Sequence, residues 1–219
     1  LWADANEAHL FMKHRVGDAN YHAMVVLMLM RYEDTDLGAY YEYGTNVMVN
    51  PPGSSASGFS ALQSAGAFVH HLPVDQSFTL EAGRTIWGYP KVMSEFTIRG
   101  ADDSAGVRGA DGSAGVRQGR SFGFDVTIDG QFAVGMDFRP GFPVPAALTG
   151  RKQVHSTYSY LDGVTRETPG EMVMTGVRYR PGGVTVRLGD HPYAAEPASL
   201  GLPKRALMPS SAALAQPTA

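Results

Sequence analysis

The sequence predicts a mainly β protein (α+β) with one short helix and a predominantly antiparallel sheet, arranged as a barrel or a sandwich. Two observations support this fold class. About nine or ten short segments rich in β-branched, aromatic and methionine residues recur every ~8–14 residues, with Gly, Pro and Asp between them. Only residues 75–87 combine a candidate cap with apolar residues at helical spacing.

The composition is typical of one globular domain over residues 1–219. The chain has 219 residues, 43% of them hydrophobic, no cysteine and a net charge of -3. Without cysteine there is no disulfide, thiolate metal site or cysteine nucleophile, and the charge favours no nucleic-acid surface. The longest apolar run, 23–30, is too short to span a bilayer. We therefore expect a cytoplasmic protein without nucleic-acid or membrane partners.

The first predicted unit is a long hairpin. Residues 21–32 and 37–50 are β-prone runs, and the polar turn 33–36 separates them. Residues 61–72 follow as a third strand. Along the second run, alternation places Tyr40, Glu42 and Gly44 on one face.

The helix predicted over 75–87 starts at a candidate cap, Ser77. It has to end near Gly88, because Pro90 disfavours helical geometry in the preceding residue. Lys91 therefore lies just beyond a helix end, where the next strand begins.

The rest of the chain reads as strands with two irregular segments. The near-repeat at 101–118 is small and glycine-rich, which predicts a flexible loop, and 191–219 reads as a partly irregular tail. The predicted strands are 91–98, 120–128, 131–138, 153–161, 172–179 and 183–188.

Lys91 is the most unusual of the four lysines. The other three, Lys13, Lys152 and Lys204, each neighbour another basic residue, whereas Lys91 follows a Gly-Tyr-Pro turn in an apolar stretch. Burial destabilises the charged form of a lysine, and a neutral lysine attacks carbonyl carbons. From the residues alone a solvent-facing lysine remains the alternative.

Two further charged residues have open interpretations. Glu42 lies among tyrosines in a strand, either on a solvated face or in a pocket. Arg84 pairs with Glu81 on the helix surface, or else it clamps a substrate carboxylate. His70 and His71 are adjacent in a strand and should face opposite ways, so we expect no metal site and no cofactor.

The stretch EAGRTIWGYPKVMSEFTI at 81–98 resembles the acetoacetate decarboxylase family. Members carry a Gly-Arg helix end and a Gly-aromatic-Pro-Lys turn, matched here by Gly83, Arg84 and the residues Gly88 to Lys91. A second stretch, LGAYYEYG at 37–44, is similar to the family's strand with an active-site glutamate. This family is a known case of a lysine activated by its surroundings. The resemblance implies that Lys91 forms a Schiff base, with Glu42 as acid and base.

The resemblance also implies a fold and a set of partners. It implies a closed, cone-like antiparallel β-barrel with a flanking sheet, a homo-oligomer, and a small oxo (keto) acid as substrate. The expected substrate-binding residues are Arg84, Met24, Met28, Trp87 and Tyr89.

Two positions depart from the family pattern. Val92 replaces the lysine that follows the catalytic one in the decarboxylase, and Thr85 replaces the acid after Gly-Arg. The expected activity is therefore a Schiff-base lyase that works by decarboxylation or by aldol and dehydration chemistry. The alternative is a non-catalytic β-barrel that binds a small apolar carboxylic acid.

Overall fold

A computed structural model describes residues 24–50, 54, 64–99, 121–139, 141–149, 151–199 and 210–215. The described part is mostly β, as predicted, with three helices. It divides into two compact units, of which the first comprises residues up to Glu95 together with Val154–Gly170. The second comprises Phe96–Gln153 and the residues from Glu171 onward.

The first unit is built on the predicted hairpin. Strands β1 (Val25–Tyr32) and β2 (Tyr40–Val49) pair antiparallel without interruption from Val25↔Val47 to Tyr32↔Tyr40. Strand β3 (Gly66–Val74) pairs antiparallel with β2 on its other side. Because directly opposed residues share a face, this register decides which side chains meet at Glu42.

The predicted helix is present as α1 (Ser77–Trp87), but its cap differs from the prediction. Gln76, not Ser77, is the N-cap: its side-chain oxygen accepts a hydrogen bond from the Thr79 backbone N–H at 2.6 Å. Its Nε2 donates to the Leu37 carbonyl at 2.7 Å, which ties the helix start to the loop before β2. The side chain of Gln76 thus caps the helix in place of the predicted Ser77.

The strand predicted over 91–98 is two strands. Strand β4 (Lys91–Met93) pairs parallel with β3, and β5 (Glu95–Arg99) follows it. Ser94 separates them, because its N–H and its Oγ both donate to the Val74 carbonyl, at 2.9 and 3.1 Å. Strand β9 (Lys152–Leu161) also pairs parallel with β3.

The second unit contains a four-stranded sheet in the order β11-β7-β6-β5, in which β7 pairs antiparallel with both β11 and β6. Strands β6 (Phe122–Ile128), β7 (Gln131–Phe138) and β11 (Val184–Leu188) match their predicted positions closely. The Asp129-Gly130 turn between β6 and β7 has the positive φ angles of a tight hairpin, 51° and 75°. The buried side chains on these strands include Phe124, Val126, Val134, Met136 and Val184.

The remaining elements include features that the sequence did not predict. Strand β10 (Val164–Tyr179) starts well before the predicted 172, and its later part pairs with β8 (Phe142–Pro143) and β12 (Ser210–Ala215). Helices α2 (Ala146–Thr149) and α3 (Pro192–Ser199) add to the one predicted helix. Proline in the first turn suits α3, since that position needs no backbone donor.

The expectation that His70 and His71 face opposite ways is wrong. Their ring centroids lie 4.1 Å apart. The register between β2 and β3 shifts here, from Thr45↔His71 to Asn46↔Val69, so His70 is the extra residue of a β-bulge. A bulge interrupts the alternation on which the expectation rested.

The loop expected at 101–118 lies outside the described residues. The tail at 191–219, expected to be partly irregular, includes α3 and β12. Among the described residues, no helix combines the length and apolar character that a bilayer crossing requires.

Candidate active site

Lys91 is buried and points back over the helix that precedes it. The preceding helix, α1, is capped by Gly88, whose φ of 64° is the left-handed conformation that glycine adopts readily. The side chain of Lys91 is 3% exposed. It lies directly on Gly83, where a Cβ atom would be 2.5 Å from Lys91 Cδ and 2.6 Å from Cε. Gly83 is therefore the position that leaves room for the lysine.

The amine of Lys91 contacts three groups. Its Nζ lies 2.8 Å from Glu42 Oε2 in a buried ion pair, and it donates a hydrogen bond to Thr79 Oγ1 at 2.8 Å. It also lies 5.3 Å from the ring centroid of Tyr40. The structure therefore brings the two predicted catalytic residues together, with a hydroxyl and an aromatic face around the amine.

Tyr32 occupies the other oxygen of the carboxylate. Its hydroxyl donates to Glu42 Oε1 at 3.2 Å, and its ring stacks on Tyr40 with centroids 4.3 Å apart. Burial, and then the negative charge of Glu42, raise the pKa of Tyr32 far above its usual range. Tyr32 therefore remains a protonated donor, and both oxygens of Glu42 are engaged.

Tyr40 and Thr79 both lie next to the lysine amine. Burial raises the pKa of Tyr40. The polar contacts run from Thr79 through Lys91 and Glu42 to Tyr32, whose ring stacks on Tyr40. Such a connected network can hold a buried charge pair and move a proton within it.

Arg84 contacts the lysine backbone. Its Nη1 donates to the Lys91 carbonyl at 3.2 Å, and the side chain is exposed on α1. The guanidinium therefore supports the turn that carries Lys91.

Trp87 and Tyr89 also support that turn. Ser159 Oγ on β9 donates to the Trp87 carbonyl at 2.7 Å, and the Tyr89 hydroxyl lies 2.7 Å from Thr157 Oγ1. The two rings lie 6.1 Å apart in a stacked arrangement. Strand β9 thus fixes both ends of the Trp-Gly-Tyr segment before Lys91.

The two methionines named from the sequence lie along the β1–β2 hairpin. Met28 pairs with Gly44, two residues from Glu42 on the same face, and its Cε would be 2.8 Å from a Cβ at Gly44. Met24 lies just before β1, where its carbonyl accepts from the Met48 N–H at 2.9 Å. Met28 is therefore the nearer of the two to the carboxylate along the strand.

The sequence predicted no site role for four residues, Tyr32, Tyr40, Thr79 and Gly83, although Gly83 matched the family motif and Tyr40 was placed on the face of Glu42. Tyr32 and Tyr40 meet as a cross-strand pair of the β1–β2 hairpin. Thr79 and Gly83 lie four residues apart on α1, a spacing that places them on one helix face. That face packs against Lys91, a contact between elements that spacing alone does not reveal.

Known proteins are similar to this chain in sequence profile and in fold. The sequence profile of a family described as acetoacetate decarboxylase (ADC) matches residues 15–213. No curated protein matches the sequence significantly.

Several solved structures have a similar fold. An acetoacetate decarboxylase from Legionella pneumophila superimposes with a TM-score of 0.55 at 18% identity, covering 87% of this chain and 69% of that chain. A second acetoacetate decarboxylase gives a TM-score of 0.56 at 16% identity, with coverages of 94% and 78%. An acetoacetate decarboxylase-like enzyme from Sphingomonas wittichii gives 0.50 at 14%, with coverages of 81% and 65%.

The profile match extends over most of the sequence, and the structural matches share its fold. This chain belongs to the acetoacetate decarboxylase family.

Proposed function

We propose that this chain is a Schiff-base-forming lyase that acts on a small oxo acid, with Lys91 as its nucleophile. The observation that supports this most directly is the buried pair of Lys91 Nζ and Glu42 Oε2, 2.8 Å apart. A buried amine beside a carboxylate has a proton acceptor within hydrogen-bond reach, which is what a lysine needs to become neutral and attack a carbonyl.

The first step forms the iminium. The Lys91 ammonium gives a proton to Glu42, and the neutral amine attacks the ketone carbon of the substrate. The carbonyl oxygen takes up the proton lost by the amine, which gives a carbinolamine. Glu42 then returns its proton to that hydroxyl, which leaves as water, and the C=N⁺ bond forms.

The second step breaks a bond to the carbon next to the iminium. The electron pair of that bond moves to the iminium nitrogen and gives an enamine. In decarboxylation the departing group is carbon dioxide, and Glu42, which has taken up a proton from water, protonates the enamine carbon. In aldol chemistry the Glu42 carboxylate first removes a proton, the enamine carbon attacks an aldehyde, and the aldehyde oxygen takes up that proton. Hydrolysis of the imine releases the product and regenerates Lys91.

Val92 and Thr85 favour the aldol and dehydration branch slightly over decarboxylation. Both replace charged residues of the decarboxylase pattern. With Val92 in place of a second lysine, the neutral amine has to arise from proton transfer to Glu42 and from burial, rather than from repulsion by an adjacent cation. Carbon dioxide release from acetoacetate at an enzymic rate would decide for decarboxylation.

The remaining predicted residues receive supporting roles in this proposal. Arg84 braces the lysine turn through the Lys91 carbonyl, with a substrate carboxylate as its alternative ligand. Met24, Met28, Trp87 and Tyr89 are proposed as the apolar wall. The closed cone-like barrel, the homo-oligomer and the cytoplasmic location remain predictions.

Exchange of the carbonyl oxygen of pyruvate or acetone with heavy-oxygen water tests the first step without assuming the second. Wild type should accelerate exchange, because each cycle of imine formation and hydrolysis replaces that oxygen. Lys91→Arg keeps a cation beside Glu42 but cannot form the imine, so it should exchange at the uncatalysed rate. Lys152→Arg is the matched control, since Lys152 is an exposed lysine paired with Glu171. Reversible binding without exchange in wild type would favour the non-catalytic alternative.

A further inference from the structure

Asn46 carries a polar group that the fold leaves unsatisfied. The residue is 2% exposed, and among the described residues its Oδ1 is the one buried side-chain oxygen or nitrogen without a hydrogen-bond partner. A buried polar atom left unpaired costs about 1–3 kcal/mol. Such an atom in a native fold calls for a reason, and a role at a functional site is one of the established reasons.

The strand register explains why the oxygen has no partner within the sheet. Asn46 on β2 pairs with Val26 on β1 and with Val69 on β3. Directly opposed residues lie on the same face, so the amide stands between two valines that have no side-chain donor.

Asn46 shares its face with the catalytic carboxylate. The pairing of β1 with β2 is regular, so Glu42, Gly44 and Asn46 alternate onto one face. The space above Gly44 agrees with this, because a Cβ there would lie 2.8 Å from both Asn46 Nδ2 and Met28 Cε. Along this face of β2 the carboxylate of Glu42 is followed by Gly44, which has no side chain, and then by Asn46, whose Oδ1 has no hydrogen-bond partner. The side chain of Met28 lies above Gly44.

We propose that Asn46 Oδ1 is a substrate-binding acceptor for a hydroxyl or N–H group at the far end of the substrate. This inference rests on the proposed function, because it takes Lys91 and Glu42 as the end where the carbonyl reacts. Residues 42 and 46 are four apart, about 13 Å along an extended strand. The substrate class is thus an oxo acid with a donor-bearing tail, longer than pyruvate or acetoacetate.

The test uses ω-hydroxy-2-oxo acids of about six to eight carbons, a range chosen from the strand spacing. Each is compared with the 2-oxo acid of the same length that lacks the hydroxyl. Affinity is measured by calorimetry with wild type and with Lys91→Arg, so that binding is read without an imine. A site built to pair with a hydroxyl discriminates strongly against its absence, and we expect the hydroxylated compound to bind at least about tenfold more tightly at one length.

Asn46→Leu, of similar size, should abolish that preference while it raises the melting temperature of the ligand-free protein. Thr45→Val is the matched control, since it removes a buried hydroxyl from the opposite face of the same strand and should keep the preference. Equal affinity for both compounds at every length, or a preference that survives Asn46→Leu, would overturn the proposal. Preference without carbonyl oxygen exchange would instead show that the subsite exists and that the proposed chemistry fails.

Discussion

Tyr32 orients the carboxylate of Glu42 in the proposed mechanism. Its hydroxyl donates to Glu42 Oε1 while Lys91 occupies Oε2. This charge-assisted hydrogen bond holds the carboxylate with Oε2 facing the lysine amine. Because the pKa of Tyr32 is raised, this donor persists above pH values near 10 where an ordinary tyrosine would ionise.

Tyr32→Phe should slow carbonyl oxygen exchange about tenfold, since a hydrogen bond to a charged group contributes about 1.5 kcal/mol or more. Tyr41→Phe removes a hydroxyl from the opposite face of β2 and should leave the exchange rate unchanged. An unchanged exchange rate in Tyr32→Phe would assign Tyr32 a packing role only.

Gly83→Ala separates helix stability from lysine placement. Alanine is favoured over glycine within a helix by about 1 kcal/mol. The new methyl would lie 2.5 Å from Lys91 Cδ, the flexible part of that side chain, so we expect the lysine to move and the helix to survive. The prediction is a helix content equal to that of wild type, measured by circular dichroism, together with at least about a tenfold loss of oxygen exchange. Full activity in Gly83→Ala would show that the lysine does not depend on this contact.

At the scale of elements, helix α1 and strand β4 together fix the position of the Lys91 side chain. Arg84 holds this helix–strand connection through a hydrogen bond to the Lys91 carbonyl. Strand β9 holds it through hydrogen bonds with the Trp87 carbonyl and the Tyr89 hydroxyl. The left-handed Gly88 turns the chain between the two elements.

Arg84→Met distinguishes a brace from a carboxylate clamp. A brace acts on the lysine itself, so loss of one hydrogen bond should reduce oxygen exchange of acetone and of pyruvate by the same factor, about three- to tenfold. A clamp acts on the substrate carboxylate, which acetone lacks. A loss confined to pyruvate, seen as a higher KM, would therefore contradict the brace.

The sheet of the second unit has a charge network across all four strands. Arg99 on β5 and Arg187 on β11 each contact both Asp125 on β6 and Asp137 on β7. Glycines at 123 and 135 leave room for it, because a Cβ at either position would clash with one of these carboxylates. Burial alone would raise the pKa of Asp137, but hydrogen bonds from Arg99 and Arg187 lower it.

The direction of this shift predicts an acid-dependent stability. A carboxyl group whose pKa is lowered by folding stabilises the fold above its unfolded pKa of about 4 and loses that contribution as the pH falls further. Asp137 is 47% exposed, so Asp137→Asn should cost only about 1 kcal/mol at neutral pH. Thermal unfolding should show the difference from wild type shrinking below about pH 4. A constant difference across that range would show that the network does not depend on the ionised aspartate.

At the scale of the whole molecule, the sequence predicted a mainly β fold and singled out Lys91 and Glu42, whose side chains lie 2.8 Å apart. Alternation placed Glu42 on a definite face, and the Gly-Tyr-Pro turn singled out Lys91. Tyr32 was missed because its position depends on the hairpin register, and β2 begins at Tyr40 rather than at the predicted residue 37. Asn46 was missed because its amide oxygen lacks a partner only in the folded sheet, where Val26 on β1 and Val69 on β3 lie on either side of it.

The buried ion pair also affects stability. Removing one partner of such a pair leaves an uncompensated charge and costs about 3–5 kcal/mol. Lys91→Met should therefore destabilise the protein strongly, and adding Glu42→Gln should recover most of the loss, as denaturant unfolding would measure. A double variant no more stable than Lys91→Met would show that Glu42 is not held charged by the lysine.

The proposed mechanism depends above all on an imine between Lys91 and a carbonyl substrate. Borohydride reduction in the presence of pyruvate, followed by peptide mapping, tests this step most directly, because reduction fixes the imine as a stable secondary amine. We predict one substrate-derived adduct, on Lys91, that is absent from Lys91→Arg and retained in Lys152→Arg. No adduct in wild type, or an adduct of equal yield in Lys91→Arg, would contradict the mechanism.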